Sequence, residues 1–177
     1  MKIHKTSSLA EIAAIVSDTL TKANIIAVLK GDGVVTVYSE NEYQSDDLDF
    51  ISPASSQKLE DAMSQIEFSK EGRYFIHPNT NYYVEFPPSP LMIGEQYIDY
   101  KECTVQKIGE LELHILTPTL CVMDRLAGFY HWNDQQNLDQ AVMVAKRHPI
   151  DFKKVKSWST KEKKQKKYQN FLERLQD

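Results

Sequence analysis

The segment 45–51 constrains the fold more than any other part of the chain, because it alternates acidic and apolar side chains. Successive side chains of a β-strand point to opposite faces, so Leu48 and Phe50 share one face while Asp47 and Asp49 share the other. The apolar pair predicts that one face is buried in a core. The two carboxylates then lie on a rigid element, roughly 6.5 Å apart along the strand.

Two carboxylates at this spacing can bind one or two divalent cations, and oxygen ligands of this kind suit Mg²⁺ or Mn²⁺. The alternative is a pair of solvated acidic residues at a strand end, which is common. The upstream sequence favours the metal site. The apolar run 25–29 is typical of a strand buried on both faces, and it leads into residues 30–33, where Gly31 and Gly33 permit a sharp turn and close approach to a ligand.

Length and composition limit the number of domains and the classes of protein to which the chain can belong. A chain of 177 residues with 41% hydrophobic and 26% charged side chains is ordinary for one globular domain, with or without a small appendage. No apolar run approaches the ~20 residues that span a bilayer, and Glu11 and Asp18 interrupt the apolar positions that a signal peptide needs. With only Cys103 and Cys121, we expect a reducing cytoplasm and no disulfide framework.

The net charge of −4 hides an asymmetry between a basic tail and an acidic body. Residues 146–177 contain 11 Lys and Arg against four Asp and Glu, which leaves the rest of the chain at −11. Such a tail can bind nucleic acid, and RNA binding here would involve the lysines Lys163, Lys164, Lys166 and Lys167. The alternative is a basic helix face that is merely solvated.

The N-terminal part of the chain alternates helical and extended patterns. Ser8 and Glu11 form a capping-box pattern before an amphipathic helix. The segment Val34–Tyr38 poses a conflict, because its β-branched residues favour a strand. A helix opening after the glycines would instead direct its positive N-terminus at phosphate. A further helix is predicted over residues 55–68 from its apolar spacing.

Two short strands are predicted at 73–76 and 82–86, separated by a turn. In the second of them, Glu85 lies on the face opposite to Tyr82, Val84 and Phe86. Glu85 therefore joins Asp47 and Asp49 if its strand pairs beside theirs. The alternative is a single solvated glutamate on an edge strand.

The chain changes character near Thr117. Two strands are predicted around the turn at Gly109, and Thr117-Pro118 then forms a strong helix start with Thr as N-cap. Helical patterns continue to the C-terminus, with Asp151 and Ser159 as expected caps of two short helices. We therefore expect a mixed α/β (α+β) domain over residues 1–116, with a mixed sheet covered by helices, and a C-terminal helical region over 117–177.

This layout resembles the nucleotidyltransferase superfamily, which has the fold of DNA polymerase β. The family pattern is a strand, a Gly-Gly or Gly-Ser turn that opens a helix, Asp-x-Asp on the next strand and then a third carboxylate. Gly31-Asp32-Gly33, Asp47-Leu48-Asp49 and Glu85 occur in that order. The resemblance implies that Val34–Tyr38 is a helix, against its own propensity.

Further residues are similar to those of bacterial minimal nucleotidyltransferases of toxin–antitoxin and abortive-infection systems, namely Tyr38, Ser45 and the Thr117-Pro118 helix start. The activity implied by the family is Mg²⁺- or Mn²⁺-dependent transfer of a nucleoside monophosphate from an NTP to a hydroxyl of RNA, protein or a small molecule. In this interpretation Asp47, Asp49 and Glu85 bind the metal and carry the chemistry. The nucleotide would contact Gly31, Asp32, Gly33, Ser45 and Arg125, although Arg125 is also consistent with an ordinary surface arginine.

Asp32 departs from the family pattern, in which this turn position is Gly or Ser. A carboxylate beside a triphosphate is repelled by about 1–4 kcal/mol for unit charges ~4 Å apart. Asp32 therefore points away from the phosphates, takes part in metal binding, or marks a catalytically degenerate binding module such as an antitoxin or an RNA-associated partner. The sequence leaves these alternatives open, together with the oligomeric state.

Overall fold

A seven-stranded mixed sheet forms the centre of the protein in a computed structural model that describes residues 1–177. In chain order the strands are β1 (Val28–Lys30), β2 (Asp47–Ile51), β3 (Ser69–Glu71), β4 (Tyr74–His77), β5 (Thr80–Glu85), β6 (Met92–Ile93), β7 (Gln96–Tyr97), β8 (Thr104–Ile108) and β9 (Leu111–Ile115). The order across the sheet is β3-β4-β5-β2-β1-β9-β8, and β6 and β7 form a separate hairpin.

Seven α-helices complete the fold: α1 (Leu9–Lys22), α2 (Asp32–Tyr38), α3 (Ser56–Ser64), α4 (Pro118–Trp132), α5 (Gln135–Arg147), α6 (Phe152–Lys161) and α7 (Gln165–Gln176). The first three alternate with strands, and the last four follow the sheet without interruption. The predicted fold class, a mixed α/β sheet followed by a helical region, is confirmed.

The conflict over Val34–Tyr38 is resolved in favour of the helix α2. Val34 and Val35 are completely buried, so packing outweighs their preference for strands. Tertiary hydrogen bonds also hold the end of this helix. The Tyr38 hydroxyl donates to the carbonyl of Leu116 at 2.6 Å, and His148 Nε2 donates to the carbonyl of Tyr38 at 2.7 Å.

The register of the central strands decides which side chains meet. β2 pairs in parallel with β5, which places Asp49 opposite Glu85 and Asp47 opposite Tyr83. On its other side β2 pairs antiparallel with β1, which places Asp49 opposite Lys30. The Glu85 strand therefore pairs beside the Asp47–Ile51 strand, which is the condition under which Glu85 joins the two aspartates.

The caps of the C-terminal helices are confirmed except at one position. The Thr117 side chain accepts from the backbone N–H of Leu120, and Asp151 caps α6 in the same way. Ser159 is wrong as a cap. It lies buried inside α6, where its hydroxyl is 2.8 Å from that of Tyr130, and α7 begins later, at Gln165.

Other boundaries also differ from the sequence prediction. The strand β1 begins at Val28, and Ile26 is 58% exposed, so the run 25–29 is not one buried strand. The helix α3 ends at Ser64 and not at Phe68. The strand β3 and the β6–β7 hairpin were not expected at all, because segments of two or three residues carry no periodic signal.

None of the seven helices combines the length and the apolar character needed to cross a bilayer.

The last strand of the sheet ends at Ile115, two residues before the cap of α4. Buried residues from the α/β part and from the helical part belong to one continuous apolar core. The division into regions 1–116 and 117–177 stays a prediction.

Candidate active site

Three acidic side chains converge on one face of the sheet. Oxygen atoms of Asp47, Asp49 and Glu85 all lie within 4.8 Å of one another. Two of these residues share β2 and the third lies opposite Asp49 on β5, so backbone pairing fixes their separation. All three side chains are half-buried. This spacing is compatible with shared coordination of a divalent cation by oxygen ligands.

Asp49 has an unpartnered oxygen in this group. Its Oδ1 atom is buried and has no hydrogen-bond partner. Burial, reinforced by the charges of Asp47, Glu85 and Asp32, raises the pKa of Asp49 to about 7 despite the opposing effect of Lys30. A buried carboxylate oxygen without a donor is costly, and a bound cation would remove that cost.

Ser45, two residues before Asp47, holds the Asp47 side chain by a hydrogen bond. Its hydroxyl donates to Asp47 Oδ1 at 2.9 Å, and its backbone N–H donates to Thr36 Oγ1 at 3.0 Å. The residue is buried. These hydrogen bonds therefore fix the orientation of the Asp47 side chain. The direct contact between Ser45 and the nucleotide, which the sequence led us to expect, stays a prediction.

The glycine turn lies against the same carboxylates. Gly31 adopts a φ of 78°, which L side chains rarely adopt, and a Cβ there would lie 3.2 Å from Asp49 Oδ2. At Gly33 a Cβ would lie 3.1 Å from a methyl group of Leu48. A side chain at Gly31 would be strained by its φ as well as by this contact, whereas one at Gly33 would require Leu48 to shift slightly.

The side chain of Asp32 is held by two partners at the start of α2. Arg125 Nη1 donates to its Oδ1, and the Tyr43 hydroxyl donates to its Oδ2 at 2.8 Å. Burial and the hydrogen bond to Asp32 raise the pKa of Tyr43, so this hydroxyl remains a donor. The charge of Asp32 is therefore partly neutralised by an arginine that was itself expected to contact phosphate.

Arg125 is not an ordinary surface residue, because only 12% of its side chain is exposed. Its Nη2 donates to Asp124 Oδ2 at 2.6 Å, and its Nη1 also donates to Asn137 at 2.8 Å. Burial opposes its charge, but Asp124 and Asp32 outweigh that effect and raise the pKa of the guanidinium. Nucleotide binding by Arg125 stays a prediction.

Asp124 and Lys30 belong to the same buried network and were missed from the sequence. Lys30 Nζ lies 3.2 Å from Asp124 Oδ1 and donates to the carbonyl of Met92 at 3.2 Å. Burial acts to raise the pKa of Asp124, but Arg125 and Lys30 hold it below its usual range. No local pattern marked this pair, because the two residues are 94 positions apart.

Aromatic and cationic side chains lie on the side of Glu85 that faces β4, away from the aspartates on β2. Arg73 Nε is 3.4 Å from Glu85 Oε1, and its guanidinium lies over the ring of Tyr74. The rings of Tyr74 and Tyr83 pack edge to face with their centroids 4.8 Å apart. Tyr83 lies two positions from Glu85 on the same strand and therefore shares its face, but the sequence did not predict that Tyr74 and Arg73 join them.

The basic tail is partly used for structure. Lys167 Nζ donates to the carbonyls of Phe129 and Tyr130 at 2.8 and 3.1 Å, near the C-terminal end of α4. Lys163 and Lys166 are exposed. RNA binding by the tail stays a prediction, and Lys167 is the member of the lysine group whose ammonium is already bound.

The chain is similar to a known protein in its structure and not in its sequence. No protein-family model matches the chain, and no curated protein matches it in sequence. Its structure is similar to the crystal structure of an antigenic nucleotidyltransferase-like protein from Paracoccidioides brasiliensis, with a TM-score of 0.55 over 80% of this chain and 77% of that chain. The chain has a nucleotidyltransferase-like fold. Because the identity is only 13%, the likeness establishes the fold and not the activity.

Proposed function

We propose that this chain is a metal-dependent nucleotidyltransferase, which moves a nucleoside monophosphate from an NTP to a hydroxyl acceptor. The observation that carries the proposal is the convergence of Asp47, Asp49 and Glu85 within 4.8 Å beside the Gly31 turn. Fold likeness alone would not support an activity. The proposal rests on the chemistry of these side chains.

The acidic residues fit a divalent cation. Asp49 offers a buried oxygen without a donor, and all three carboxylates are oxygen ligands of the type that Mg²⁺ and Mn²⁺ prefer. When bound, such an ion supplies positive charge that stabilises the phosphates and the leaving pyrophosphate. Asp47, Asp49 and Glu85 would hold it, and Ser45 would keep Asp47 in position.

The remaining chemistry consists of positioning and proton removal. The acceptor oxygen attacks the α-phosphorus, the bond to the bridging oxygen of the β-phosphate breaks, and pyrophosphate leaves with that electron pair. Glu85 would help to take the hydroxyl proton. The backbone at Gly31 and Gly33 would approach the triphosphate, and Arg125 would keep the charge of Asp32 neutralised.

Calorimetric titration with ATP and each of the other three NTPs tests this proposal. We expect an isotherm for at least one NTP in the presence of Mg²⁺ or Mn²⁺, and none in excess EDTA. Absence of binding for all four NTPs with either metal would contradict the proposal. It would favour a degenerate binding module of the same fold, such as an antitoxin or an RNA-associated partner.

The role of Asp32 leads to a second prediction. Replacing it by serine removes a negative charge near the expected phosphates, so Mg·ATP should bind about 5-fold more tightly, which corresponds to ~1 kcal/mol. The matched control is Tyr43→Phe, which removes a contact of Asp32 but keeps its charge and should alter the Kd less than about twofold. Loss of binding in Asp32→Ser would instead indicate that Asp32 takes part in metal binding.

A cytoplasmic location and a role in a toxin–antitoxin or abortive-infection system remain predictions from the sequence. The basic tail remains a candidate contact for an RNA or protein acceptor.

A further inference from the structure

The acidic group can be approached from two sides of the sheet, the β1 side and the β5 side. β2, which carries Asp47 and Asp49, lies between β1 and β5. The Gly31 turn follows β1, so the proposed nucleotide side is the β1 side. A transfer reaction needs a second substrate that reaches the same carboxylates. The free side is then the one formed by β5 and β4.

The side chains on that side are aromatic and cationic. Tyr83 lies opposite Asp47, and Tyr74 lies opposite Glu85, so both tyrosines share the face of the carboxylates. Arg73 is 71% exposed, and its guanidinium carbon lies 4.8 Å from the centroid of the Tyr74 ring. Its Nη2 also donates to the Tyr74 hydroxyl at 2.5 Å.

We propose that Arg73, Tyr74 and Tyr83 form a binding surface for the end of a single-stranded nucleic acid, whose terminal hydroxyl is the acceptor. This inference rests on the proposed function and names its substrate class. Tyr74 and Tyr83 are partly exposed, and aromatic rings of this kind stack on bases of any sequence. A guanidinium beside them binds phosphate and stacks on bases. Both kinds of group lie in direct contact here, next to Glu85.

Arg73 is the cation of this surface, and a phosphate-bearing chain is attracted to it. The carboxylates beside Arg73 are those that would bind the metal in the proposed function. The pair between Arg73 and Glu85 is no obstacle. An ion pair with one partner 71% exposed is weak, so Arg73 can exchange Glu85 for a phosphate oxygen.

Fluorescence anisotropy with a 5′-fluorescein-labelled octaadenylate RNA, in Mg²⁺ and without NTP, tests the surface. We expect Tyr83→Leu to raise the Kd about 10-fold, because loss of one stacked base contact has an effect of this size. Tyr83→Phe keeps the ring and should bind within about twofold of the wild type. Tyr97→Leu, at a tyrosine that is 55% exposed on the β6–β7 hairpin, is the matched control and should bind like the wild type.

The salt dependence separates this surface from the basic tail. Arg73→Gln should weaken binding and reduce the slope of log Kd against log salt by about 1. A tail variant with Lys163, Lys164 and Lys166 all changed to Gln should keep the effect of Tyr83→Leu, whatever its own affinity. A Tyr83→Leu effect that disappears in the tail variant would contradict the proposal.

The outcomes distinguish this proposal from the proposed function. Equal Kd values for wild type and Tyr83→Leu, with Mg·ATP binding intact, overturn the surface and leave the nucleotidyltransferase proposal standing. The same applies if the wild type binds Mg·ATP but no octaadenylate, which would indicate a protein or small-molecule acceptor. If RNA binding requires Tyr83 but the protein binds no NTP, the binding surface would be supported and the nucleotidyltransferase proposal would fail.

Discussion

Replacing Asp49 by asparagine is expected to lower metal-dependent NTP turnover by more than about 100-fold. In the proposed function Asp49 binds the metal directly, and removal of a direct ligand should exceed the 10- to 100-fold effect that is typical of residues behind the ligands. Asp49 also has a buried oxygen without a hydrogen-bond donor, which a cation would contact. Release of pyrophosphate from each NTP measures the effect.

The same substitution should stabilise the metal-free protein at alkaline pH. The pKa of Asp49 is raised to about 7 in the folded state, from about 4 in an unfolded chain. The folded state therefore binds more protons between these values, and stability falls as the pH rises from about 4 to about 7. A shift of this size corresponds to up to about 4 kcal/mol, of which we expect about half, because the side chain is partly open to water.

Thermal unfolding in EDTA at pH 8 measures this gain. About 2 kcal/mol should raise the Tm of Asp49→Asn by about 4–8 °C over the wild type, and the difference should shrink towards pH 5. Mg²⁺ should raise the Tm of the wild type but not that of the variant. Asp46→Asn, at the exposed neighbouring acid, is the control and should change neither property. Wild-type turnover in Asp49→Asn would eliminate the proposed function.

Replacing Arg125 by methionine is expected to destabilise the fold by about 3–5 kcal/mol. Removing one partner of a buried ion pair leaves the other charge with less compensation, and the buried Asp124 would keep only Lys30 as a partner. Asp32 and Asn137 also lose a donor. Urea unfolding monitored by circular dichroism gives the change in the free energy of unfolding.

Two variants make this prediction specific. Arg147→Met removes an arginine whose partner Glu42 is 52% exposed, and it should change stability by less than about 1 kcal/mol. Adding Asp124→Asn to Arg125→Met removes the buried charge that has lost its arginine and should recover part of the loss. A loss below about 1 kcal/mol in Arg125→Met would mean that the buried network contributes little to the fold.

The acidic site was largely predictable because its two strands have strong local signals. Alternation at Asp47–Ile51 predicted both the strand and its buried face, and the same period placed Glu85 on a defined face of its own strand. The sequence left the partner of the Glu85 strand open, and the structure shows that it is β2. Short elements such as β3 and the β6–β7 hairpin were not predicted, because two or three residues cannot establish a period.

The surroundings of the site were not predictable in the same way. Arg125 and Asp32 are far apart in sequence, and only the packing of α4 against α2 makes them partners. The same applies to Lys30 with Asp124, whereas the Tyr74–Tyr83 contact joins neighbouring strands and depends on their register. Val34–Tyr38 became a helix because burial against neighbouring elements outweighs a propensity of at most ~1 kcal/mol.

The sequence by itself determined the periodic elements, the turn at Gly31 and the acids on one strand face, because each depends on residues close along the chain. Only the tertiary structure decided that Asp32 is paired with a buried arginine and that Asp49 lacks a donor. These features depend on contacts between distant segments and on exclusion of water, and no local pattern encodes either of them.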